Sequence, residues 1–280
     1  MLRQRVITAV LLLSVLLPAL FYPSPIPFCG LAIVFIAAGA WEWSRLTGYS
    51  QSVSVAAAAI CALACLTAWS YGLLNQLYWL WIATTAIWVF GGAWLLRGGT
   101  FAWQRLARPA RLCGGMMLLV IAWLALAKAR IIGVNFLMSI LSLVWVADIF
   151  AYGAGRTWGG QLVERKLAPT ISPGKSWEGV CGGVVGVLIL AFVWRWADQT
   201  LHPASPSFFS HLARSQLWLM AGAVVWLACM SVVGDLVESL VKRAASVKDS
   251  SGLLPGHGGV LDRIDALLPT LPIAMLLYSV

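Results

Sequence analysis

Apolar runs about twenty residues long recur along this chain from Val6 almost to Val280, separated by short polar connections. A run of that length crosses the hydrocarbon core of a bilayer as a helix. Lipid offers backbone amides no hydrogen-bond partner, so each run must satisfy its own main-chain groups. The fold class that follows is all-α, a polytopic integral membrane protein. Composition leaves little room for a soluble alternative, because 61% of the residues are hydrophobic and only 10% are charged.

The pattern predicts nine spans, at about residues 6–22, 27–44, 52–73, 77–96, 113–130, 132–153, 177–197, 216–237 and 264–280. The fifth and sixth are separated only by Lys128 and Arg130, with one long hairpin or an irregular pair as the alternatives to two spans. Lys and Arg in short loops stay on the cytoplasmic side. With the N-terminus inside, that side holds 15 of the 19 basic residues: Arg3, Arg5, Arg45, Arg97, Arg105, Arg108, Arg111, Arg156, Arg165, Lys166, Lys175, Lys242, Arg243, Lys248 and Arg263. Only Lys128, Arg130, Arg195 and Arg214 fall toward the other side, where an odd number of spans also puts the C-terminus. The basic, apolar N-terminus has the outline of a secretory signal, but FYPSPIPF after it lacks a clear small-residue cleavage site, so it reads as a retained helix. The net charge of +9 suits anionic headgroups at the cytoplasmic surface and calls for no nucleic acid. Six cysteines in or beside apolar runs read as packing residues without disulfides. No boundary separates soluble domains. Residues 1–112 read as N-terminal transmembrane helices with a basic cytoplasmic loop, and 113–280 as the transmembrane catalytic region of one integrated membrane domain.

The acids concentrate between residues 148 and 265. A carboxylate inside a membrane helix is costly and faces a cavity, an ion or a partner. Asp148 and Asp235 are the acids that need an explanation, whereas Glu42 and Asp198 lie away from the clusters. Asp235, Glu238, Ser239 and Lys242 share one helix face at i, i+3, i+4 and i+7. Glu238 also fits a solvated helix end paired with Lys242, while Asp235 sits a turn deeper behind Gly234, which permits close approach. Downstream, Asp262 and Asp265 stand i, i+3 in LDRID at the start of the last helix, where acids also favour the positive helix end. Immediately before them, PGHGG brings Gly258 and Gly259, whose backbone amides suit an anion. Two helix ends that each bring an aspartate to such a loop can hold a divalent metal together with phosphates. His257 is alone there, too few donors for zinc, and reads as a partner of a phosphate or leaving group. A third cluster, residues 147–179, follows Asp148 with small residues and then Arg156, Arg165, Lys166 and Lys175. Its ISPGKS turn lacks the earlier glycine of a Walker loop. Beside the acids it reads as a grip for a triphosphate or headgroup.

SLVKRAASVKDSSGLLPGHGGVLDRID, residues 239–265, resembles the signature of the phosphatidate cytidylyltransferases, the CDP-diacylglycerol synthases. The match is carried by Ser239, Lys242, Arg243, Lys248, Asp249, Pro255, His257, Gly258, Gly259, Asp262, Arg263 and Asp265. Upstream, Asp148, Ala151, Tyr152, Gly155 and Arg156, then Ser172, Pro173, Lys175, Trp177, Glu178 and Gly179, look like the family's other blocks. Phe150 departs from a usually small residue and Gly174 from a commonly basic one. The resemblance implies transfer of a cytidylyl group from CTP to phosphatidate in phospholipid biosynthesis. It implies Asp235 and Asp262 as ligands of Mg²⁺, in a centre that can pair it with K⁺, and Asp148, Asp249, His257 and Asp265 as further catalytic groups. Arg156, Ser172, Lys175, Ser239, Lys242, Arg243, Lys248, Gly258, Gly259 and Arg263 would bind the substrates. The partners implied are CTP, phosphatidate, membrane lipids and a second copy of the chain, at a bacterial inner membrane with the site facing the cytoplasm.

Two other classes compete. An ion-coupled transporter explains Asp148 and Asp235 but leaves the glycine-histidine loop and the one-sided acids without a purpose. A CDP-alcohol phosphotransferase needs a DGxxAR and GxxxDxxxD pattern that this chain lacks.

Overall fold

The structure, a computed structural model, describes residues 2–75, 77–164 and 166–280; Arg165 and the side chains of Arg3 and Arg5, counted above among the cytoplasmic cations, lie outside them. The described residues form twelve α-helices and no strand. In chain order these are α1 (Leu2–Phe21), α2 (Ile26–Leu46), α3 (Gln51–Ser70), α4 (Tyr78–Ala86), α5 (Gly92–Arg105), α6 (Arg108–Ile132) and α7 (Val134–Trp158), followed by α8 (Trp177–Leu201), α9 (Phe208–Leu212), α10 (Leu217–Ala244), α11 (Leu261–Ile264) and α12 (Leu267–Ser279). A wide helical turn, Ile87–Gly91, joins α4 to α5, so the pair runs as one bent span.

Among the described residues seven helical stretches are long and apolar enough to cross a membrane: α2, α3, α4 with α5, α6, α7, α8 and α10. The doubtful fifth and sixth spans are two separate helices of 25 residues each, meeting at the single residue Gly133. The ends of the expected nine differ. The apolar part of α1 is the shorter Val6–Phe21. The expected span at 264–280 is broken after Ile264, because Pro269 in the first turn of α12 has no amide to carry the hydrogen-bond ladder back to Asp265. The 13 residues of α12 reach only about 20 Å, against about 30 Å of hydrocarbon. It is a core helix instead. Residues from Leu268 to Met275 are buried, packed among α4, α6, α7 and α10.

Packing between helices in lipid rests on close van der Waals approach, which small residues allow. The most extensive contact is between α7 and α8, along a seam of glycines on α8. A Cβ on Gly182 would lie 2.3 Å from Ala154 Cβ, one on Gly183 2.9 Å from the Ala147 carbonyl, and one on Gly186 2.3 Å from the Phe150 ring. Phe150, the unusually large residue noted above, is accommodated by that last glycine. On the other flank α2 packs against α3 and α6, with Trp43 Nε1 donating to the Arg111 carbonyl at 2.9 Å over Gly115.

The C-terminal ends of α2, α7 and α10 share one end of the bundle with α11, as shown by bonds from Glu42 to the start of α11 and from Arg243 to the 159–176 loop. The opposite end is tied by Asp198, which accepts from Asn135 Nδ2, Ser207 N and Ser210 Oγ at 2.9, 2.9 and 2.6 Å. Gly234 is the point where α12 docks on α10. A Cβ there would lie 2.5 Å from the Asp265 carbonyl and 2.9 Å from the Pro269 ring. Gly234→Ala is therefore expected to destabilise the protein by about 1–3 kcal/mol, the usual penalty of overpacking. Gly222→Ala, where nothing lies within 4 Å, should leave it unchanged. Thermal unfolding in detergent reads the difference, and equal midpoints would exclude Gly234 as the docking point.

Candidate active site

The last turns of α10 carry Asp235, Glu238, Ser239 and Lys242, with Asp235 lining a cavity beside α7 and α8 and Lys242 reaching α11. Ser239 Oγ donates to Asp235 Oδ1 at 3.2 Å, and Lys175 Nζ, from the 159–176 loop, lies 2.6 Å from Asp235 Oδ2. Glu238 is not at a solvated helix end. It is 2% exposed, and it pairs with Lys242. The same ammonium lies 2.5 Å from Asp262 Oδ1, so one lysine bridges two carboxylates of different helices. A buried ion pair survives desolvation only when its remaining polar atoms are bonded, and Asp262 meets that condition. Its Oδ2 accepts from Ser250 N at 3.0 Å, Ser250 Oγ at 2.9 Å and Gly259 N at 2.8 Å. Burial pushes the Asp262 carboxyl up, but the bond from Lys242 and the two amides more than reverse this and hold it at about 2.

Between α10 and α11 the chain reverses twice. Gly256 and Gly258 take φ of 78° and 82°, a region open to glycine, and Leu254 N donates to the Gly258 carbonyl at 2.9 Å to close the turn. The loop is fastened from below by Glu42 of α2, which is fully buried. Its carboxylate accepts from Val260 N at 2.9 Å, Leu261 N at 2.7 Å, Ser250 Oγ at 3.2 Å and Ser251 Oγ.

The second wall belongs to α7, α8 and the loop between them. Ser176 caps α8 by accepting from Gly179 N at 3.1 Å. Glu178 Oε1 accepts from the amides of Gly160, Leu162 and Val163 at 3.1, 3.1 and 2.9 Å, folding that loop back. Between α7, α8 and α10 lies a cavity of about 360 Å³, within the range of small-ligand sites. Asp148, Tyr152, Arg156, Lys175, Ser176 and Asp235 provide its polar lining. Asp148 is in Coulombic reach of Asp235, Lys175 and Arg263; Asp265 of Asp235, Lys242 and Lys175; and Glu238 of Asp265 and Asp262. Five carboxylates thus share one field with Lys175, Lys242 and Arg263.

The residues singled out in the sequence fall into distinct groups. Asp148, Arg156, Lys175 and Asp235 line the cavity, and Ser239, Lys242, Asp262 and Asp265 stand beside it. His257 has a buried Nδ1 with no hydrogen-bond partner among the described residues. Lys248 and Asp249 are exposed on the outside of the loop. Several expected substrate ligands are engaged within the protein. Arg243 Nε donates to the Ile171 carbonyl at 3.2 Å, and Arg263 donates through Nε and Nη2 to the His257 carbonyl at 3.1 and 2.6 Å. Gly259 gives its amide to Asp262 instead of leaving it open to an anion. Ser172 shapes the 159–176 turn, donating its amide to the Ala168 carbonyl at 2.8 Å and accepting from Lys175 N. Glu42 is the correction: placed above away from the clusters, it lies in their midst. The signal was a carboxylate embedded in the apolar AGAWEWSRL, which membrane burial alone marks as needing partners.

The sequence profile described as the cytidylyltransferase family matches residues 3–280. A phosphatidate cytidylyltransferase of Pseudomonas aeruginosa is 38% identical over 289 aligned positions, covering 100% of this chain and 98% of that protein. One of Haemophilus influenzae is 32% identical over 319 positions, with 99% of each chain covered. One of Thermotoga maritima is 39% identical over 141 positions, covering 50% of this chain and 48% of its own length.

The bridging role of Lys242 changes what its removal should do. Lys242→Ala leaves Glu238 and Asp262 facing each other unpaired, and the expected loss is about 3–5 kcal/mol of stability. Lys242→Ala combined with Glu238→Gln and Asp262→Asn should recover most of it. Thermal melts of the single and triple variants measure both, and a single variant as stable as the parent would rule the bridge out as a structural element.

Proposed function

The chain belongs to the cytidylyltransferase family, and from that premise we propose that it transfers the cytidylyl group of CTP to phosphatidate, giving CDP-diacylglycerol and pyrophosphate. The observation that carries the reading is the cavity in which Asp148, Asp235, Lys175 and Arg156 meet beside the Lys242–Asp262 bridge. An oxygen of the phosphatidate phosphate attacks the α-phosphorus of CTP in line; the new P–O bond forms as the bond to the bridging oxygen of the β-phosphate breaks. A phosphate monoester is mostly dianionic at pH 7, with a second pKa of about 6, so this nucleophile needs no general base. The carboxylates are then free for another task, and no covalent enzyme intermediate is required.

That task is holding a cation. Mg²⁺ is usually bound through one or two carboxylates plus substrate phosphates, seldom in an all-protein cage. The residues fit this pattern: the five carboxylates outnumber Lys175, Lys242 and Arg263 among them, and Glu238 Oε1 is buried without a hydrogen bond among the described residues. Asp235 and Asp262 would hold Mg²⁺, with K⁺ as a second cation. Bound there, the metal would neutralise charge on the phosphates. Lys175 and Arg156 orient the phosphates in the cavity, and His257 in the glycine loop meets the departing pyrophosphate. Asp148 and Asp265 keep Lys175 directed inward by charge. Lys248, exposed on the loop, attracts the anionic substrates; Asp249 beside it, expected above among the catalytic acids, is exposed on the same loop.

The clustering of basic residues on one side supports a site facing the cytoplasm, where CTP is available, and the bacterial relatives support the inner membrane. A transporter would need acids that lead to both faces, whereas Asp198, the acid at the far end, is bonded to Asn135, Ser207 and Ser210 and, among the described residues, to none of the acids around the cavity.

Purified protein in detergent, given radiolabelled CTP, phosphatidate and Mg²⁺, should form a labelled lipid that requires all three. Chelation with EDTA should abolish it and added Mg²⁺ restore it. Asp235→Asn and Asp262→Asn should each lower turnover by about a hundredfold or more, the scale of a lost transition-state charge contact, with the protein still folded. Near-normal turnover in either variant would remove the metal assignment; no labelled lipid from folded parent protein would remove the function.

A further inference from the structure

Resting on that reading of the reaction, we propose that Glu42 is a positioning residue for it: from α2 its buried carboxylate latches the 250–261 loop and thereby sets where Asp262 stands. Three observations carry this. First, a carboxylate with no exposed surface must be bonded to remain in place, and Glu42 accepts from two amides and the Ser251 hydroxyl, while the Ser250 hydroxyl shares its one proton between Glu42 and Asp262; all of these donors come from residues 250–261. Among the described residues no cation pairs with it, so the charge is balanced by loop dipoles alone. Loop and carboxylate each lose their partners if the other moves.

Second, the latch and the Asp262 cradle share parts. Ser250 Oγ lies 3.2 Å from Glu42 Oε2 and 2.9 Å from Asp262 Oδ2, while Ser250 N donates to Asp262. The amides donated by Gly259, Val260 and Leu261 go in order to Asp262, Glu42 and Glu42. A shift of the backbone away from Glu42 therefore carries the Asp262 bonds with it. Third, the approach is so close that only glycine fits at 259. A Cβ there would lie 2.0 Å from Ser250 Oγ and 2.5 Å from Glu42 Oε1. Glu42 itself, sealed from solvent, touches neither cavity nor substrate; it acts through Asp262.

Glu42→Gln keeps the side chain's shape but turns one acceptor into a donor facing donors. Two measurements on the purified full-length variant test the proposal, at a temperature where it is fully folded. In hydrogen exchange followed by mass spectrometry, peptides covering 250–261 should exchange at least about tenfold faster, with the helices α3, α8 and α10 unchanged. In steady-state assays with CTP and phosphatidate, kcat should fall about tenfold or more while both KM values move less than about threefold, the pattern of a displaced catalytic carboxylate. Glu42→Asp, which keeps the charge one methylene short, should restore part of kcat. A merely structural glutamate would lower the melting point and leave kcat of the folded protein intact. If Glu42→Gln does not insert, Ser251→Ala carries the test, since the Ser251 hydroxyl donates to Glu42 and not to Asp262 and its loss leaves every helix alone; the same direction of change in loop exchange and kcat is expected. Parental exchange of 250–261 together with parental kcat, in whichever variant folds, overturns the proposal. If the parent itself makes no labelled lipid, the functional reading fails, and the exchange data still decide the latch.

Discussion

Charge inside a low-dielectric bundle has to be answered by another charge or by oriented dipoles, and the end of this molecule that carries the site is organised by that requirement. Lys242 answers Glu238 and Asp262 together, and in doing so fixes the start of α11 against the end of α10. Lys175 answers Asp235 and draws the 159–176 loop over the cavity. Where no cation is present, backbone amides take over, from 260–261 for Glu42 and from 160–163 for Glu178. Loops that would otherwise be free are thus each pinned by a carboxylate that helices hold still.

The apolar half of the architecture makes this possible. Glycines on α8 bring α7 within van der Waals contact, so Asp148 and Arg156 are delivered to one wall with little play. Gly234 does the same for the opposite wall by letting the Asp265 carbonyl and Pro269 rest on α10. Helix seams set distances that loop hydrogen bonds alone could not maintain. Precision of about half an ångström is what phosphoryl chemistry asks of its charged groups.

Much of this was visible in the residues. Long apolar runs separate membrane helices from connections with little ambiguity, and the i, i+3, i+4, i+7 spacing placed Asp235, Glu238, Ser239 and Lys242 on one face before any coordinates. Hydropathy fails where its premise does. LLPTLPIAMLLYS is as apolar as a lipid-facing span, but it is apolar because protein surrounds it, and composition cannot tell the two environments apart. The partnership of Glu42 with residues more than two hundred positions away leaves no periodic trace, because it joins two elements through tertiary contact. For the same reason the Glu238–Lys242 pair was legible and the extension of Lys242 to Asp262 was not. The resemblance implied Arg243 and Arg263 as substrate ligands, and nothing local announces the carbonyls they hold.

The half-depth of α12 has a mechanical consequence. Membranes of different thickness act on the segments that touch acyl chains, tilting or stretching them to relieve hydrophobic mismatch. The helix that follows Asp262 and Asp265 is sheathed by neighbours along Leu268 to Met275 and too short to feel both leaflets. Bilayer strain reaches those acids only after the surrounding scaffold has absorbed it, which insulates the candidate site from the very lipid composition that a phospholipid-making enzyme alters.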